Sequence, residues 1–314
     1  MNISIVVPAY NESRNIKTTI SELFDVSSKI VDVKKVEIIV VDDHSSDNTY
    51  DTVVNMNDPR VSCIMLSRRS GSHTALRAGM REAGGDAVLC ISADGQDNPL
   101  CLKDMLRSWR SGAKIVWALR KDRKNEPWYI RRPAEYFYKL LLWLSNEIDN
   151  KIDLSRADFF LLDRMVVDAI NACPERNTSL FGLIVWLGFS QDSVEYERRA
   201  RLSGSSKWNF RSRFRLAKDW IIGFAGVPLK IASLTGIVMS LVGGLGAIYI
   251  IIDKLFFSNI IVGWASIVIV TLILGGIQLI ILGIMGEYLW RDLDESRKRP
   301  LFFIEKSHRG SKRS

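Results

Sequence analysis

From Ile231 to Ile252 the chain runs twenty-two residues without a charge, and from Leu255 to Gly286 thirty-two more, with only Asp253 and Lys254 between them. A helix rises about 1.5 Å per residue, so about 20 apolar residues cross a hydrocarbon core of about 30 Å. Both runs meet that length, and transmembrane helices are expected over about 229–252 and 263–286. A buried helical hairpin of a large soluble protein is the other way to hide such runs, but uncharged stretches this long, rich in Ile, Leu, Val and Gly, rarely arise that way. Arg211, Arg213, Arg215, Lys218 and Lys230 precede the first run, and Arg291, Arg297, Lys298 and Arg299 follow the second; the connection, Asp253–Val262, has the single cation Lys254. The positive-inside rule then puts both termini in the cytoplasm and the hairpin tip outside, in a multi-pass protein of the inner (plasma) membrane.

The remainder of the 314 residues suffices for one sizeable domain. The opening "MNISIVVPAY" has no basic leader and too short an apolar stretch for a signal peptide, so this domain is expected in the cytosol. Cys63, Cys90, Cys101 and Cys173 lack metal-ligand spacing and sit among apolar neighbours, as reduced core cysteines do.

Short β-rich runs, "ISIVVP" from Ile3, "VEIIVV" from Val36, "VSCIML" from Val61, "DAVLCIS" from Asp86 and "AKIVWAL" from Ala113, alternate with helix-like segments near 15–27, 47–56, 72–83 and 98–111. Near-continuous apolar strands divided by helices indicate an α/β domain with a largely parallel sheet covered on both faces. This domain is expected over 1–206, followed by a juxtamembrane helix at 207–228, the two spans within 229–286 and a basic tail at 287–314. Aromatic and basic residues interleave at about 131–148 and again in "KWNFRSRFRLAKDWIIGFAG" from Lys207, which reads as helices lying in a lipid headgroup layer or as ordinary surface helices. With spans adjacent, membrane lipids are a simpler partner than nucleic acid for a chain of net charge +8.

In open α/β sheets ligands bind beyond the carboxyl ends of the strands. Four polar loops fall there: "AYNE" after the first strand, "DDHSSDNT" after the second, "SRRSGSHTAL" after the third and "ADGQDNP" after the fourth. No glycine-rich loop of Walker or dinucleotide type is present, so NTP hydrolysis and hydride transfer lose their usual support. Carboxylates at such an edge suit a divalent cation, Mg²⁺ or Mn²⁺, that bridges a diphosphate, with Asp94 and Gln96 the natural ligands. Asp42 or Asp43 can accept from a base or ribose, with Tyr10 and Glu12 completing the pocket; equally, "DD" after a strand can be a helix-capping turn.

The succession "VVPAYNE", "VVDDHSSDNT", "SRRSG", "SADGQDNP" resembles the family 2 glycosyltransferases of GT-A fold. "RADFFLLDR", "PERN", "YERRARLSGSSKW", the double span and "GEYLWR" are similar to the polyprenyl-phosphate branch of that family, which includes dolichol-phosphate mannosyltransferase and the bactoprenol glucosyltransferases of O-antigen (lipopolysaccharide) modification. The resemblance implies a Rossmann-like GT-A domain and inverting transfer of a hexose from a nucleotide sugar, UDP-glucose by preference, to polyprenyl (undecaprenyl) phosphate. It implies that Pro8, Tyr10, Glu12, Asp42, Asp43 and Arg68 surround the donor and that Asp94 and Gln96 hold metal and diphosphate. Arg198, Arg201 and Lys207 would meet the donor and acceptor phosphates; a juxtamembrane patch drawn to anionic lipid is their other reading. Asp158 matches the acid often assigned as base. It is expected to orient the acceptor or metal, because a phosphate monoester, with a second pKa near about 6, is already largely dianionic at neutral pH.

Two positions depart from the family's pattern. Ser92 stands where the family carries an acid in "DAD", so either Asp97 compensates or metal binds more weakly. Phe160 stands where "DFRL" has Arg, a lost cation that Arg156 or Arg164 could offset or that could reflect a different sugar. The departures leave a second class of function open, a nucleotide-sugar-binding membrane scaffold of a glycan-assembly complex. A processive polysaccharide synthase fits less well, with only two spans and no "QxxRW" stretch. Glycines such as Gly243 to Gly246 leave room for a homo-oligomer, though glycine is common in such helices.

Overall fold

Five apolar runs become the first five strands of one sheet. The computed structural model describes residues 1–121, 156–176, 178–199, 227–256 and 263–310. The strands are β1 (Asn2–Ala9), β2 (Lys35–Asp42), β3 (Val61–Leu66), β4 (Ala87–Cys90), β5 (Ile115–Arg120), β6 (Ala157–Asp163), β7 (Gln191–Tyr196) and β8 (Ile304–His308). Their order across the sheet is β7-β5-β6-β4-β1-β2-β3-β8. β1 pairs in parallel with β2 and β4, β2 with β3, and β5 with β7. Only β6 and β8 run against the rest. The largely parallel sheet expected from the apolar runs is therefore present, with one antiparallel strand set into it and another at its edge.

The helices of this unit are α1 (Ile16–Ser28), α2 (Thr49–Val54), α3 (Ser72–Glu82), α4 (Leu102–Arg110, entered through a 3₁₀ turn at Pro99–Cys101), α5 (Arg164–Ala172) and α6 (Leu180–Trp186). Alternate residues of β1 point to opposite faces, and Ile3, Ile5 and Val7 on one face and Val6 on the other are all buried. On the first face α1, through Ile16, Ile20 and Leu23, and α4, through Leu102, Met105 and Leu106, share one core with Ile38, Leu89, Phe159 and Leu161. On the second face α3 packs on β1 and β2. The approach there is so close that a Cβ at Gly79 would lie 2.2 Å from Val6 Cγ1, which is why a helix-weakening glycine is used. Cys63, Cys90 and Cys101 are buried free thiols in these layers, Cys173 is half-buried, and burial pushes all four thiols above the usual range.

β8 departs from the expected tail. The segment assigned to 287–314 carries the end of a long helix, to Ser296, and then a strand that pairs with β3 through Cys63↔His308, Ile64↔Ser307 and Met65↔Lys306. "IEKSH" has no apolar run to betray it, because an edge strand needs backbone pairing on one side only and favours charged side chains.

The second unit consists of α7 (Val227–Phe256) and α8 (Trp264–Ser296), packed against each other. They cover both segments expected at 229–252 and 263–286. Leu234, Ile237, Leu241, Leu245, Leu279 and Leu282 are exposed along them. Among the described residues one stretch, Ile273–Ser296, is long and apolar enough to cross a membrane, and Ala232–Gly246 is a shorter apolar stretch. The amphipathic segment expected at 131–148 and residues 207–226 of the juxtamembrane helix lie outside the described residues.

Candidate active site

The loops after β1, β2, β3 and β4 leave the same edge of the sheet, because those four strands are parallel. Antiparallel β6 brings its start, and with it Asp158, to that edge, where Arg120 at the end of β5 pairs with Tyr196 at the end of β7.

The first two loops are laced by side chains that satisfy backbone amides. Asn11, in the left-handed region at φ 53, donates its amide to Ser45 Oγ (2.9 Å) and accepts from the Ser46 amide (2.8 Å). The amide of Glu12 donates to Thr49 Oγ1 (2.9 Å), that of Ser13 to Asp47 Oδ2 (3.2 Å). The Glu12 carboxylate takes a hydrogen bond from Asn15 Nδ2 (2.7 Å), and its carbonyl accepts from the first amides of α1. Asp42 Oδ1 accepts from the Ser45 amide (2.7 Å) as a turn-forming aspartate does, while Oδ2 is buried with no hydrogen-bond partner among the described residues. Asp43 reaches the third loop: its two oxygens accept from the amides of Ser70 (2.6 Å) and Gly71 (2.8 Å), and Gly71, at φ +93, supplies a conformation other residues rarely adopt. Burial pushes both carboxyls above their ordinary range despite those bonds. Both aspartates therefore hold loop amides at the rim of the site, and neither caps a helix: the N-caps of α2 and α3 are Asn48 and Gly71. Pro8 and Tyr10 are half-buried in the same rim and Arg68 is exposed. Its neighbour Arg69 lays its guanidinium 4.0 Å over the Tyr10 ring, joining the first and third loops, a role the sequence did not distinguish between the two arginines.

The fourth loop gathers the acids. Ser92 Oγ donates to Asp94 Oδ1 (2.9 Å) and lies in hydrogen-bond contact with Asp97 Oδ2, which also accepts from the Ser92 amide (3.1 Å). Asp94 Oδ1 accepts from the Gln96 amide too (3.1 Å). Where the family's pattern has a carboxylate, a hydroxyl therefore joins two others. Gln96 Oε1 accepts from Arg198 Nη2 (2.9 Å), and its carbonyl accepts from the Arg199 amide (2.9 Å). Arg198 thus lies beside Gln96 in the fourth loop; Arg201 and Lys207 lie outside the described residues.

Asp158 owes its direction to a β-bulge. Ala118 pairs with Phe159 and Leu119 with Ala157, which leaves Asp158 as the extra residue. Such a bulge re-aims one side chain without disturbing the alternation beyond it. Asp158 Oδ2 then accepts from Tyr196 Oη (2.5 Å) and pairs with Arg120 Nε (2.8 Å), both charged groups being largely buried. The same Tyr196 hydroxyl lies 3.2 Å from Asp97 Oδ1. Burial, with Asp158 nearby, pushes the Asp97 carboxyl up to about 6. Tyr196 itself is pushed well above its usual range by burial and by the two acids.

Phe160 stands apart from this cluster. It is buried on the opposite face, edge-on to Trp117 (5.4 Å) and Phe181 (5.4 Å). Neither arginine considered as a substitute fills the vacancy. Arg164 is at the far end of β6, bonded to the carbonyls of Ala83 and Gly85, and Arg156 binds the Arg120 carbonyl and Glu195. The cation on Asp158 is Arg120, from a strand end with no recognisable motif.

The profile of the family described as Glycosyl transferase family 2 matches residues 4–169, more than half of the chain. This chain is a family 2 glycosyltransferase. Its relatives include the SfII prophage-derived bactoprenol glucosyl transferase of Shigella flexneri, 37% identical over 318 residues that cover 99% of this chain and 100% of that protein. The uncharacterized glycosyltransferase YkcC of Bacillus subtilis (strain 168) is 38% identical over 307 residues, 97% of this chain and 94% of that one. Among solved structures, mannosyl-3-phosphoglycerate synthase from Rubrobacter xylanophilus superposes with a TM-score of 0.51 at 19% identity over 70% of this chain and 72% of its own, a likeness of fold. The GT-A architecture of this glycosyltransferase is thereby shown.

The donor set sets the terms for a metal. Among the described residues no three His, Cys, Asp or Glu side chains form a cation cage. Asp94 supplies one carboxylate, which suits Mg²⁺ or Mn²⁺, ions often held by one or two carboxylates together with substrate phosphates; the Gln96 side-chain oxygen accepts from Arg198 here and would have to exchange that partner for a cation.

Proposed function

We propose that this glycosyltransferase moves a hexose from a nucleotide sugar, UDP-glucose by preference, to polyprenyl phosphate at the cytoplasmic face of the membrane, with inversion at the anomeric carbon. The observation that carries this reading is the reach of the likeness. A relative named for bactoprenol is matched end to end, so the match includes both long apolar helices and not the sheet alone. Exposed leucines and isoleucines along α7 and α8 are suited to lipid, and a membrane anchor beside the domain is what a lipid-borne acceptor requires.

An oxygen of the acceptor phosphate attacks the anomeric carbon as the bond from that carbon to the donor's diphosphate breaks, and the electron pair leaves with the nucleoside diphosphate. A phosphate monoester with a second pKa near about 6 arrives largely deprotonated, so little proton abstraction is required. Asp158, fixed by Arg120 and Tyr196, orients the acceptor. Arg198, with Arg201 and Lys207 from the segment that follows, meets phosphate charge. Pro8, Tyr10, Glu12, Asp42, Asp43 and Arg68 line the nucleoside side. Asp94 and Gln96 would hold Mg²⁺ or Mn²⁺, which when bound would supply neutralisation of the leaving charge. The chain's own contribution is mostly positioning.

Purified protein in lipid nanodiscs, offered UDP and GDP sugars with undecaprenyl phosphate, is expected to form lipid-linked hexose, fastest from UDP-glucose. Asp94→Asn is expected to lose at least about 100-fold in turnover while melting like the parent, because an asparagine Oδ1 can still accept from Ser92 and the Gln96 amide. Absence of product with every donor would favour the scaffold reading, and undiminished transfer by Asp94→Asn would remove this carboxylate from the chemistry.

A further inference from the structure

We infer that Tyr196 and Arg120 are positioning residues for Asp158, and that the Tyr196 hydroxyl ties this acid to the loop that holds Asp94. The inference rests on the reading of the acidic edge as the transfer site, and it concerns one residue outside the quoted motifs, Arg120, and one, Tyr196, that opens "YERRARLSGSSKW" without a role assigned to it.

Asp158 is the extra residue of a β-bulge, so no ladder partner fixes it. What fixes it are two side chains from other strands, each at a strand end. Arg120 closes β5 and Tyr196 closes β7, and the two are register partners. Arg120 Nε lies 2.8 Å from Asp158 Oδ2, and Tyr196 Oη lies 2.5 Å from the same oxygen. The phenol is not placed by chance, since its ring packs edge-on to Phe159 at 5.0 Å, and Tyr196 is only 3% exposed. From there Oη also reaches Asp97 Oδ1 at 3.2 Å, and Asp97 is joined through Ser92 to Asp94. A continuous path of hydrogen bonds therefore runs Asp158–Tyr196–Asp97–Ser92–Asp94.

The path explains why a buried tyrosine stands between two carboxylates. A phenol offers one proton, and here it spaces two acids that would otherwise repel each other while holding the acceptor-side acid at a fixed distance from the diphosphate side. Fixed spacing is what an in-line displacement between a lipid phosphate and a leaving diphosphate needs, and small misplacements cost large factors in rate.

The test uses the full-length protein in nanodiscs. Tyr196→Phe keeps the ring against Phe159 and removes only the hydroxyl. It is expected to lower kcat at least about tenfold, with KM for the nucleotide sugar within about twofold of the parent. Arg120→Lys should retain more of kcat than Arg120→Ala. Because Tyr196 acts through Asp158, Tyr196→Phe combined with Asp158→Asn should be no slower than Asp158→Asn alone, a non-additivity that general loosening of the fold would not produce. Parent-like kcat in Tyr196→Phe, or multiplying losses in the double variant, would overturn the inference. Melting temperatures of the same four proteins form a second cycle that needs no substrate: coupling between positions 196 and 158 is expected there, and additive shifts would also overturn it. A parent protein that transfers no sugar would sink the functional reading, while the melting cycle would still decide the pairing.

Discussion

Asp97 is nearly fully buried, accepts from the Ser92 amide, lies against the Ser92 hydroxyl and faces Asp158 and Asp94. Desolvation and like charge outweigh those bonds and raise its carboxyl to about 6. The folded protein therefore binds a proton more tightly than the unfolded chain does. The associated stability is fully present below the ordinary carboxylate value near 3.8 and is lost as pH rises through about 6. At neutral pH the ionised group stands as a penalty of up to about 3 kcal/mol. Asp97→Asn, whose amide can donate to Tyr196 as the protonated acid does, is expected to raise the melting temperature at pH 7.5 and to lose that advantage below about pH 4. Melting curves across pH check this, and an equal difference at both ends would remove the penalty. Little of it could be read from the chain. "SADGQDNP" displays its acids, but their separation depends on a tyrosine 99 positions from Asp97 and on a bulge that exists only once β5 and β6 are paired. Phe160 teaches the same limit, since alternation gives it a face and only the register shows that the face is aromatic core.

The apolar runs of the first five strands are legible, whereas the apolar runs in β6 and in α6 ("LFGLIVW") are not assigned to elements from sequence. β1 to β5 announce themselves because strands covered on both faces must be apolar throughout. "RADFFLLDR" carries the family resemblance but is not read from sequence as a strand, and β7, "QDSVEY", is a polar edge strand that no run betrays. β8 was hidden for the same reason and has the larger consequence. It shields the edge of β3, with the Ser67 amide donating to the Phe303 carbonyl (2.9 Å) and Glu305 Oε2 3.5 Å from His44 Nδ1. His44 belongs to the second site loop, so the far end of the sequence reaches the site. Ending the chain at Arg299 exposes an edge of β3 that pairs at Cys63, Ile64, Met65 and Leu66. At about 1 kcal/mol net per backbone hydrogen bond, the loss is roughly 2–4 kcal/mol, and an uncovered edge invites association between copies. Denaturation and light scattering of the shortened and full-length proteins should show a lower midpoint and larger particles; an unchanged midpoint with monodisperse scattering would reduce β8 to an ornament of the edge.

At the scale of the molecule, length and charge bear on the membrane anchor proposed above. α7 has 30 residues and α8 has 33, about 45 and 50 Å at 1.5 Å each, against a hydrocarbon thickness of about 30 Å. The surplus of α8 falls after Gly286, in "EYLWRDLDES", where charged residues suit the headgroup layer and water. β8 then returns the chain to the sheet that carries the acids, so the end of the chain must share a compartment with the sheet. The orientation proposed here, sheet and termini inside and connection outside, rests on the excess of Arg and Lys outside the hairpin against one Lys in the connection. A membrane-impermeant maleimide added to intact cells is accordingly expected to label Ser258→Cys in the connection. The same reagent should spare the half-buried native Cys173 until the cells are opened, and the buried Cys63, Cys90 and Cys101 for as long as the protein stays folded. Labelling of Ser258→Cys only after lysis would put the connection inside, and the site that must meet a cytoplasmic nucleotide sugar would then lie on the wrong side of the membrane.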